Sequence, residues 1–161
     1  MQVLHEVKEC EFGLGLFSKQ YINKGDVVWK ASVGENVLLF SEQDFNDFHL
    51  TSTPEEYERL LEIAYSDSSL IKNGIVIPKD ECQYTNHSNT PNCGSYNCHH
   101  HVNASGHNDN DPKFWAHSYA LRDIDINEEL TEDYTHYHIP NWFIKVLTNE
   151  NKLPNYYDVC M

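Results

Sequence analysis

Short runs of hydrophobic and β-branched residues alternate with turn-forming segments along the first third of the chain. Four such runs, VLHEV, GLFSKQYI, DVVWKAS and NVLLF, are punctuated by FGLG, NKGD and GEN. Runs of this length bounded by glycine and asparagine are typical of β-strands. The apolar segment NGIVIP predicts another strand, and SYNCHHHVN and KFWAHSYALRDI predict a hairpin around the turn-rich ASGHNDNDP. The pattern therefore indicates several small twisted sheets.

Three segments carry the signals of helices. The clearest begins at Thr53, which can cap the helix together with Glu56 in a capping box, while Pro54 suits the first turn. An apolar stripe at helical spacing follows, formed by Tyr57, Leu60, Leu61 and Ala64. Shorter helices are predicted from Ser41 in SEQDFNDF and near Pro140 in IPNWFIKVL. The fold class predicted is mostly β with peripheral helices.

Length and composition favour a single domain. The chain has 161 residues, 40% of them hydrophobic and 22% charged, so apolar burial can offset the entropy of ordering the chain. No apolar run reaches the roughly 18 residues of a membrane span, and the first residues lack a signal-peptide pattern. We therefore expect an intracellular protein, cytoplasmic or nuclear, without membrane contact. Its five irregularly spaced cysteines are expected to be reduced thiols, and its oligomeric state is left open.

The charge balance is strongly acidic. Eleven Lys and Arg residues stand against 25 Asp and Glu residues, which gives a formal net charge of -14. Such a chain repels a phosphate backbone, so direct nucleic-acid binding is disfavoured and a basic protein or peptide is the expected partner. Residues 123–133 contain six acids and no Lys or Arg. That run is either a solvated face or a field that attracts a basic peptide.

Three motifs are informative in combination: FGLGLF at 12–17, TNHSNTPNC at 85–93 and ALRDIDINEELTEDY at 120–134. Each alone is weak, since a glycine pair usually marks a turn and an acidic loop is usually solvated. In this order the chain resembles the SET domain family of S-adenosylmethionine-dependent protein-lysine methyltransferases. The resemblance implies several small twisted sheets, with a pseudoknot that brings NHS and TEDY together. It also implies a SET domain over residues 1–138, with a helical insert at about 41–72, and a C-terminal helix and tail at 139–161 that close the cofactor site.

The glycine motif and NHS are the expected cofactor site. Because Gly13 and Gly15 lack a Cβ, the backbone around Leu14 can approach a ligand closely, although a tight turn is the simpler interpretation of the pair alone. The resemblance implies that this segment and the Asn86 side chain bind the methionine part of S-adenosylmethionine, and that the His87 backbone hydrogen-bonds the adenine. The full set of expected cofactor contacts is Gly13, Leu14, Gly15, Asn86, His87, Tyr134 and Trp142.

Tyr134, in TEDY, matches the active-site tyrosine of the family and is the expected catalytic residue. Its phenol can place an oxygen beside the transferring methyl group and the target nitrogen and so orient an in-line displacement. The acceptor lysine must first lose a proton, which a low-dielectric channel and the neighbouring sulfonium both favour by lowering its pKa. The alternative for Tyr134 is a core tyrosine with a hydrogen-bonded hydroxyl.

The chain departs from the family pattern in two places. Glu132 stands where many histone-directed members carry an aromatic residue that limits methylation degree, so that degree is not transferred, and Glu132 is expected to contact the acceptor lysine instead. The zinc-binding cysteine cluster that follows the domain in many relatives is missing, because only Cys160 remains after Tyr134. Trp142 or Phe143, or alternatively Tyr156 and Tyr157, could cover the adenine by stacking, and Trp142 is preferred.

The function predicted is methyl transfer from S-adenosylmethionine to a lysine amine of a basic protein, with histones as candidates. Two alternatives stay open: a SET-fold module that binds cofactor or basic peptide without efficient turnover, and a metal-dependent interaction protein. The second rests on a run with the composition but not the spacing of a metal site, so no metal ligand is assigned and a polar hairpin is preferred. Its residues are Cys93, Cys98, His99, His100, His101 and His107.

Overall fold

The computed structural model describes residues 1–11, 13–67, 70–95 and 117–153. Its strands are β1 (His5–Cys10), β2 (Gly13–Ser18), β3 (Val27–Lys30), β4 (Val37–Phe40), β5 (Ile75–Pro78), β6 (Asn86–His87), β7 (Cys93–Gly94), β8 (His117–Ala120) and β9 (Thr131–Glu132). Its α-helices are α1 (Glu42–Thr51), α2 (Pro54–Ile63) and α3 (Asn141–Asn149), and Glu81–Tyr84 and Tyr134–His136 form 3-10 helices. The prediction of a mostly β fold with peripheral helices is confirmed.

The chain divides into two compact units. The first comprises Met1–Ser32 and Asp80–Tyr134, and the second comprises Val33–Lys79 and Thr135–Met161. The insert predicted from the sequence lies in the second unit, which also contains α3. The prediction that residues 139–161 close the cofactor site stays a prediction.

Small sheets build the first unit. β1 and β2 form an antiparallel pair, β3, β8 and β7 form a three-stranded antiparallel sheet in that order, and β6 pairs in parallel with β9. These sheets enclose one apolar core, in which Leu16, Ile22, Ile124 and Leu130 have no exposed surface. Each such side chain contributes about 1.5–3 kcal/mol by leaving water, so this core supports the short strands around it.

A buried amide ties the segment before β7 to the segment that leads into β9. Asn92 is 1% exposed. Its Nδ2 donates to the carboxylate of Glu128 at 2.9 Å and to the carbonyl of Glu129 at 2.7 Å, and its Oδ1 accepts from the amide of Thr131 at 2.9 Å. A buried amide left without partners would be costly, so these bonds fix the path of the chain into β9.

Glu128 links this buried amide to the surface. Its carboxylate accepts from the Arg122 guanidinium at 2.5 Å and from the backbone amide of Asp125 at 2.9 Å, as well as from Asn92. Partial burial alone would raise the pKa of Glu128, but the hydrogen bonds from Arg122, the Asp125 amide and Asn92 outweigh burial and hold the pKa below its usual value. The carboxylate therefore stabilises the fold in its charged form.

The second unit contains the three helices and the antiparallel pair of β4 and β5. The predicted capping box is present: Glu56 N donates to Thr53 Oγ1 at 3.2 Å, and Thr53 N donates to the Glu56 carboxylate at 2.8 Å. Ser41 caps α1 in the same way, with Asp44 as its partner. Local sequence thus determines where both helices begin. The helix α2 ends one residue before Ala64, which is its C-cap.

Aromatic packing joins α1 and α3 in the second unit. Phe45 and Phe143 are buried, with ring centroids 5.6 Å apart in an edge-on arrangement. The predicted stripe of α2 faces the same core, in which Leu60 and Leu61 are buried. NGIVIP contains β5, as predicted, and all four residues of that strand are buried. The sequence patterns therefore located the three helices and the strand β5 correctly.

The predicted hairpin and the alternative metal site fall mostly on undescribed residues. Most of the predicted hairpin spans 96–116, which lies outside the described residues, and its last part contains β8. Cys98, His99, His100, His101 and His107, proposed as an alternative metal site, also lie outside them. Within the described ranges, no cluster of three or more His, Cys, Asp or Glu side chains is arranged to hold a metal ion. Nor is any helix there both long and apolar enough to cross a membrane.

We expect Glu128→Gln to flatten the loss of stability in acid. A carboxyl whose pKa is lowered by folding stabilises the native state above its usual pKa of 4.5, and that stabilisation disappears as the pH falls through the lowered value. The free energy of unfolding is measured with urea between about pH 6 and about pH 3, a range that spans the usual carboxyl pKa. It should decrease less steeply with falling pH in the variant. Arg122→Gln should weaken the same dependence, and the double variant should be less than additive. Parallel curves for all four proteins would contradict this role.

Candidate active site

The NHS and TEDY motifs meet in the parallel pairing of β6 and β9. Asn86 lies opposite Thr131 and His87 lies opposite Glu132, and the amide of Ser88 donates to the carbonyl of Glu132 at 2.9 Å. Successive side chains of an extended segment point to opposite sides. Asn86 and His87 therefore serve different neighbours, and the structure brings together the two motifs as the resemblance implied.

Asn86 reaches the glycine motif. Its Nδ2 donates to the carbonyl of Leu14 at 3.2 Å and to the carboxylate of Glu129 at 2.7 Å, and lies 3.4 Å from the sulfur of Cys10. Three acceptors around one nitrogen fix which way the amide points. Its Oδ1 therefore faces away from these groups and is the atom of Asn86 that a ligand donor would meet.

Gly15 is required by this contact. A Cβ at Gly15 would lie 2.5 Å from the carboxylate of Glu129, 3.0 Å from the sulfur of Cys10 and 3.1 Å from Nδ2 of Asn86. The missing side chain is therefore what lets Asn86 and Glu129 approach β2. Gly13 serves another purpose: its φ of 104° is a left-handed conformation that only glycine adopts without strain.

Tyr134 is held at both ends by the segment that contains NHS. Its hydroxyl donates to the carbonyl of Thr85, and its backbone amide donates to Nδ1 of His87 at 3.1 Å. The rings of His87 and Tyr134 lie 5.6 Å apart between centroids, inclined by 43°. The predicted catalytic tyrosine thus lies beside His87, one of the predicted cofactor residues, in the same unit.

Glu132 is half-buried on β9, and its carboxylate accepts a hydrogen bond from Ser118 Oγ. Two cysteines lie within its electrostatic reach. Burial above all raises the pKa of both the Cys82 and the Cys93 thiols, and the charge of Glu132 adds to both effects. Both thiols therefore stay protonated and unreactive. The predicted contact between Glu132 and an acceptor lysine stays a prediction.

The acidic run at 123–133 is only partly a solvated face, because most of its acids also form hydrogen bonds within the first unit. Four of its acids accept hydrogen bonds within the first unit: Asp123 from the Lys24 amide, Glu128 from Arg122 and Asn92, Glu129 from Asn86, and Glu132 from Ser118. Asp123 and Asp125 are nevertheless exposed. The run therefore helps to hold the site together and also adds negative charge to the surface.

Trp142 lies in α3, in the second unit. Its ring packs 5.4 Å from that of Phe45 between centroids, and its Nε1 donates to the carbonyl of Asn73 at 3.1 Å. These contacts explain the residue within its own unit, and its stacking on adenine stays a prediction. The alternatives Tyr156 and Tyr157 lie outside the described residues.

Sequence reasoning did not assign three of the contacts that organise the site. Glu129, beside Asn86, was one acid among six, and Asn92 was part of a motif without a role of its own. The imidazole of His87 was given no task, although it contacts Tyr134. The only available signal was alternation along NHS, which separates the side chains of neighbouring residues but does not name their partners.

Comparisons with known proteins identify the family of this chain. A family model described as SET domain matches residues 13–135. No curated protein is similar enough in sequence to match. The Neurospora SET domain protein DIM-5, a histone lysine methyltransferase, has a similar structure, with a TM-score of 0.50 and 17% identity over 83% of this chain and 52% of that one.

Two structures of a polycomb complex are also similar. A humanized mutant of the Chaetomium thermophilum Polycomb Repressive Complex 2 bound to the inhibitor GSK343 has a TM-score of 0.58 and 18% identity, over 92% of this chain and 17% of that one. The complex ctPRC2 in an autoinhibited conformation bound to S-adenosylmethionine has the same TM-score and identity, over 94% of this chain and 17% of that one. This chain thus spans about half of the DIM-5 chain and about a sixth of the polycomb chains. These likenesses show the fold, and the family model, which covers most of the sequence, shows that the chain belongs to the SET domain family.

Proposed function

We propose that this protein is a protein-lysine N-methyltransferase that uses S-adenosylmethionine and acts on a lysine of a basic protein, with histones as the first candidates. The observation that carries the proposal is the meeting of Asn86, the glycine motif and Tyr134 around the β6–β9 pairing. A pair of motifs can occur by chance in a sequence. Their convergence on one small region of the first unit is much harder to explain without a common task.

The residues of the glycine motif fit the amino-acid end of S-adenosylmethionine. Gly15 lets the Asn86 amide and the Glu129 carboxylate lie against the motif, because a Cβ there would clash with both. Oδ1 of Asn86, which faces away from Glu129, can accept from an ammonium group, and backbone amides near Gly13 suit a carboxylate. One of the similar structures is described as bound to S-adenosylmethionine, which supports the choice of cofactor.

When bound, S-adenosylmethionine supplies an electrophilic methyl group. Tyr134 then orients the reaction rather than taking a proton, because its own hydroxyl proton is donated to the carbonyl of Thr85. A hydroxyl oxygen that donates its proton can also accept, so the Tyr134 hydroxyl is proposed to hold the incoming amine in line. A neutral lysine is needed for attack, and burial of the amine favours its neutral form.

The acceptor is proposed to be a lysine among other basic residues. The net charge of -14 favours a cationic partner, and association should weaken as salt rises because exposed charges are screened beyond about 8 Å at physiological ionic strength. Glu132 is the proposed local recognition group, since its carboxylate already lies in a half-buried setting on β9. There it would hold the amine or limit the number of methyl groups added.

Asn86→Ala is expected to abolish measurable binding of S-adenosylmethionine or its demethylated product. The amide connects Leu14 with Glu129, so its loss removes a ligand group and the contact that orders the glycine motif. Isothermal titration calorimetry on purified protein, without added metal, measures the effect. Thr90→Ala, an exposed change four residues away, is the matched control. Equal affinity in the two variants would contradict the assigned cofactor site.

Tyr134→Phe is expected to lower turnover by about 10² or more while leaving cofactor affinity within about threefold, because the hydroxyl acts on the reacting groups. Turnover is followed with labelled cofactor and a panel of basic proteins that includes histones, with mass mapping of the modified residues. Tyr21→Phe removes the hydroxyl of an exposed tyrosine in the same unit and should change little. If wild-type protein binds cofactor but modifies none of the proteins, it is a binding module instead.

Glu132→Gln is expected to raise KM for a basic peptide by about 10-fold, equivalent to about 1.4 kcal/mol, or to change the methylation product. The control is Asp125→Asn, an exposed acid of the same run. Glu128 is unsuitable as a control because it is part of the hydrogen-bonded scaffold. The measurement is KM at two salt concentrations together with the mass of the product. Identical kinetics and products in both variants would leave shape alone to explain substrate choice.

A further inference from the structure

The imidazole of His87 has a defined protonation pattern. Its Nδ1 lies 3.1 Å from the backbone nitrogen of Tyr134, and its Nε2 lies 3.2 Å from Oδ1 of Asn89. A backbone N–H can only donate, so Nδ1 must accept and carries no proton. In the neutral ring the hydrogen is then on Nε2, which donates to Asn89. Both ring nitrogens thus have a partner that matches this single tautomer.

The hydrogen bond to Nδ1 of His87 comes from the first residue of a 3-10 helix. Tyr134 is the first residue of the 3-10 helix Tyr134–His136, and the first N–H groups of a helix have no partner within it. His87 supplies that partner from a segment distant in sequence. Because the hydroxyl of Tyr134 is bonded to Thr85, the tyrosine is fixed at its backbone and at its tip by residues only two positions apart.

A carboxylate lies close to the same nitrogen. Oδ1 of Asp133 is 3.9 Å from Nδ1 of His87, beyond hydrogen-bond distance, so the bond at that nitrogen comes from the Tyr134 amide. Protonation there would remove the lone pair that accepts the Tyr134 amide. The positioning of Tyr134 therefore requires a ring whose Nδ1 carries no hydrogen.

We propose that the side chain of His87 is a positioning residue that sets the place of the Tyr134 hydroxyl through this backbone hydrogen bond. The inference rests on the proposed function for its kinetic consequence but not for the bond itself. It adds a task to a residue from which the family resemblance takes only the backbone. A displacement of about 1 Å at a reacting group can cost about 10² in rate, so a side chain that touches no substrate can still control turnover.

Three substitutions separate this role from a general structural one. His87→Asn places an amide oxygen near the position of Nδ1, whereas His87→Gln extends its amide toward the position of Nε2, and His87→Ala removes both groups. All three keep the backbone that is expected to meet the adenine. We expect kcat to fall by about 10² in the Ala and Gln variants and to recover most of its value in the Asn variant, with cofactor affinity within about threefold throughout. Equal losses in the Asn and Gln variants would overturn the proposal.

Two further measurements do not depend on turnover. Long-range proton–nitrogen NMR correlations of the imidazoles should show His87 with a bare Nδ1 and a protonated Nε2, assigned by the signal that His87→Asn removes from the ten histidines. Hydrogen exchange of the Tyr134 amide should be faster in His87→Ala than in wild type and His87→Asn. A protonated Nδ1, or equal exchange in all proteins, would refute the bond. Absence of wild-type turnover with these two results intact would refute the proposed function alone.

Discussion

The parallel pairing of β6 with β9 is the constraint on which the rest of the site depends. It involves only two residues on each strand, Asn86–His87 and Thr131–Glu132, yet it sets the register between the two motifs that carry chemistry. Because successive side chains of a strand point to opposite sides, Asn86 contacts the glycine motif and His87 contacts Tyr134. A shift of one residue would exchange these neighbours, so the identity of the site lies in this register.

A pairing of two residues on each strand is not stable by itself. Side-chain hydrogen bonds supply the stabilisation that longer strands would provide. Asn92 acts as an additional rung, since its amide bonds the backbone on both sides of Leu130. The carboxylate of Glu128 accepts from the Asn92 amide, and the carboxylate of Glu129 accepts from Asn86, which extends the same hydrogen-bond network. The acidic composition of this region thus has a structural cause, since carboxylates accept from the amide and guanidinium groups that fix the loop.

Local features of the fold could be predicted from the sequence, and distant pairings could not. The capping box of Thr53 and Glu56 involves neighbours three residues apart, so the pattern contained both partners. The contact between Asn92 and Glu128 depends on how the chain closes, and no periodicity announces it. The motifs of the site were recognised by resemblance, which named Asn86 and Tyr134. It did not show that the His87 imidazole accepts from the Tyr134 amide, because that bond joins a side chain to backbone.

The order of events in folding follows from the β6–β9 pairing. The helices α1 and α2 are capped by residues next to them, and β1 and β2 are close neighbours in sequence, so these elements can form early. β6 and β9 cannot pair until the long stretch of chain between them has closed, which carries an entropic penalty before any contact compensates for it. The register that defines the site is therefore expected among the late steps of folding, and a nascent chain emerging from the ribosome holds no site until the residues of β9 have been synthesised.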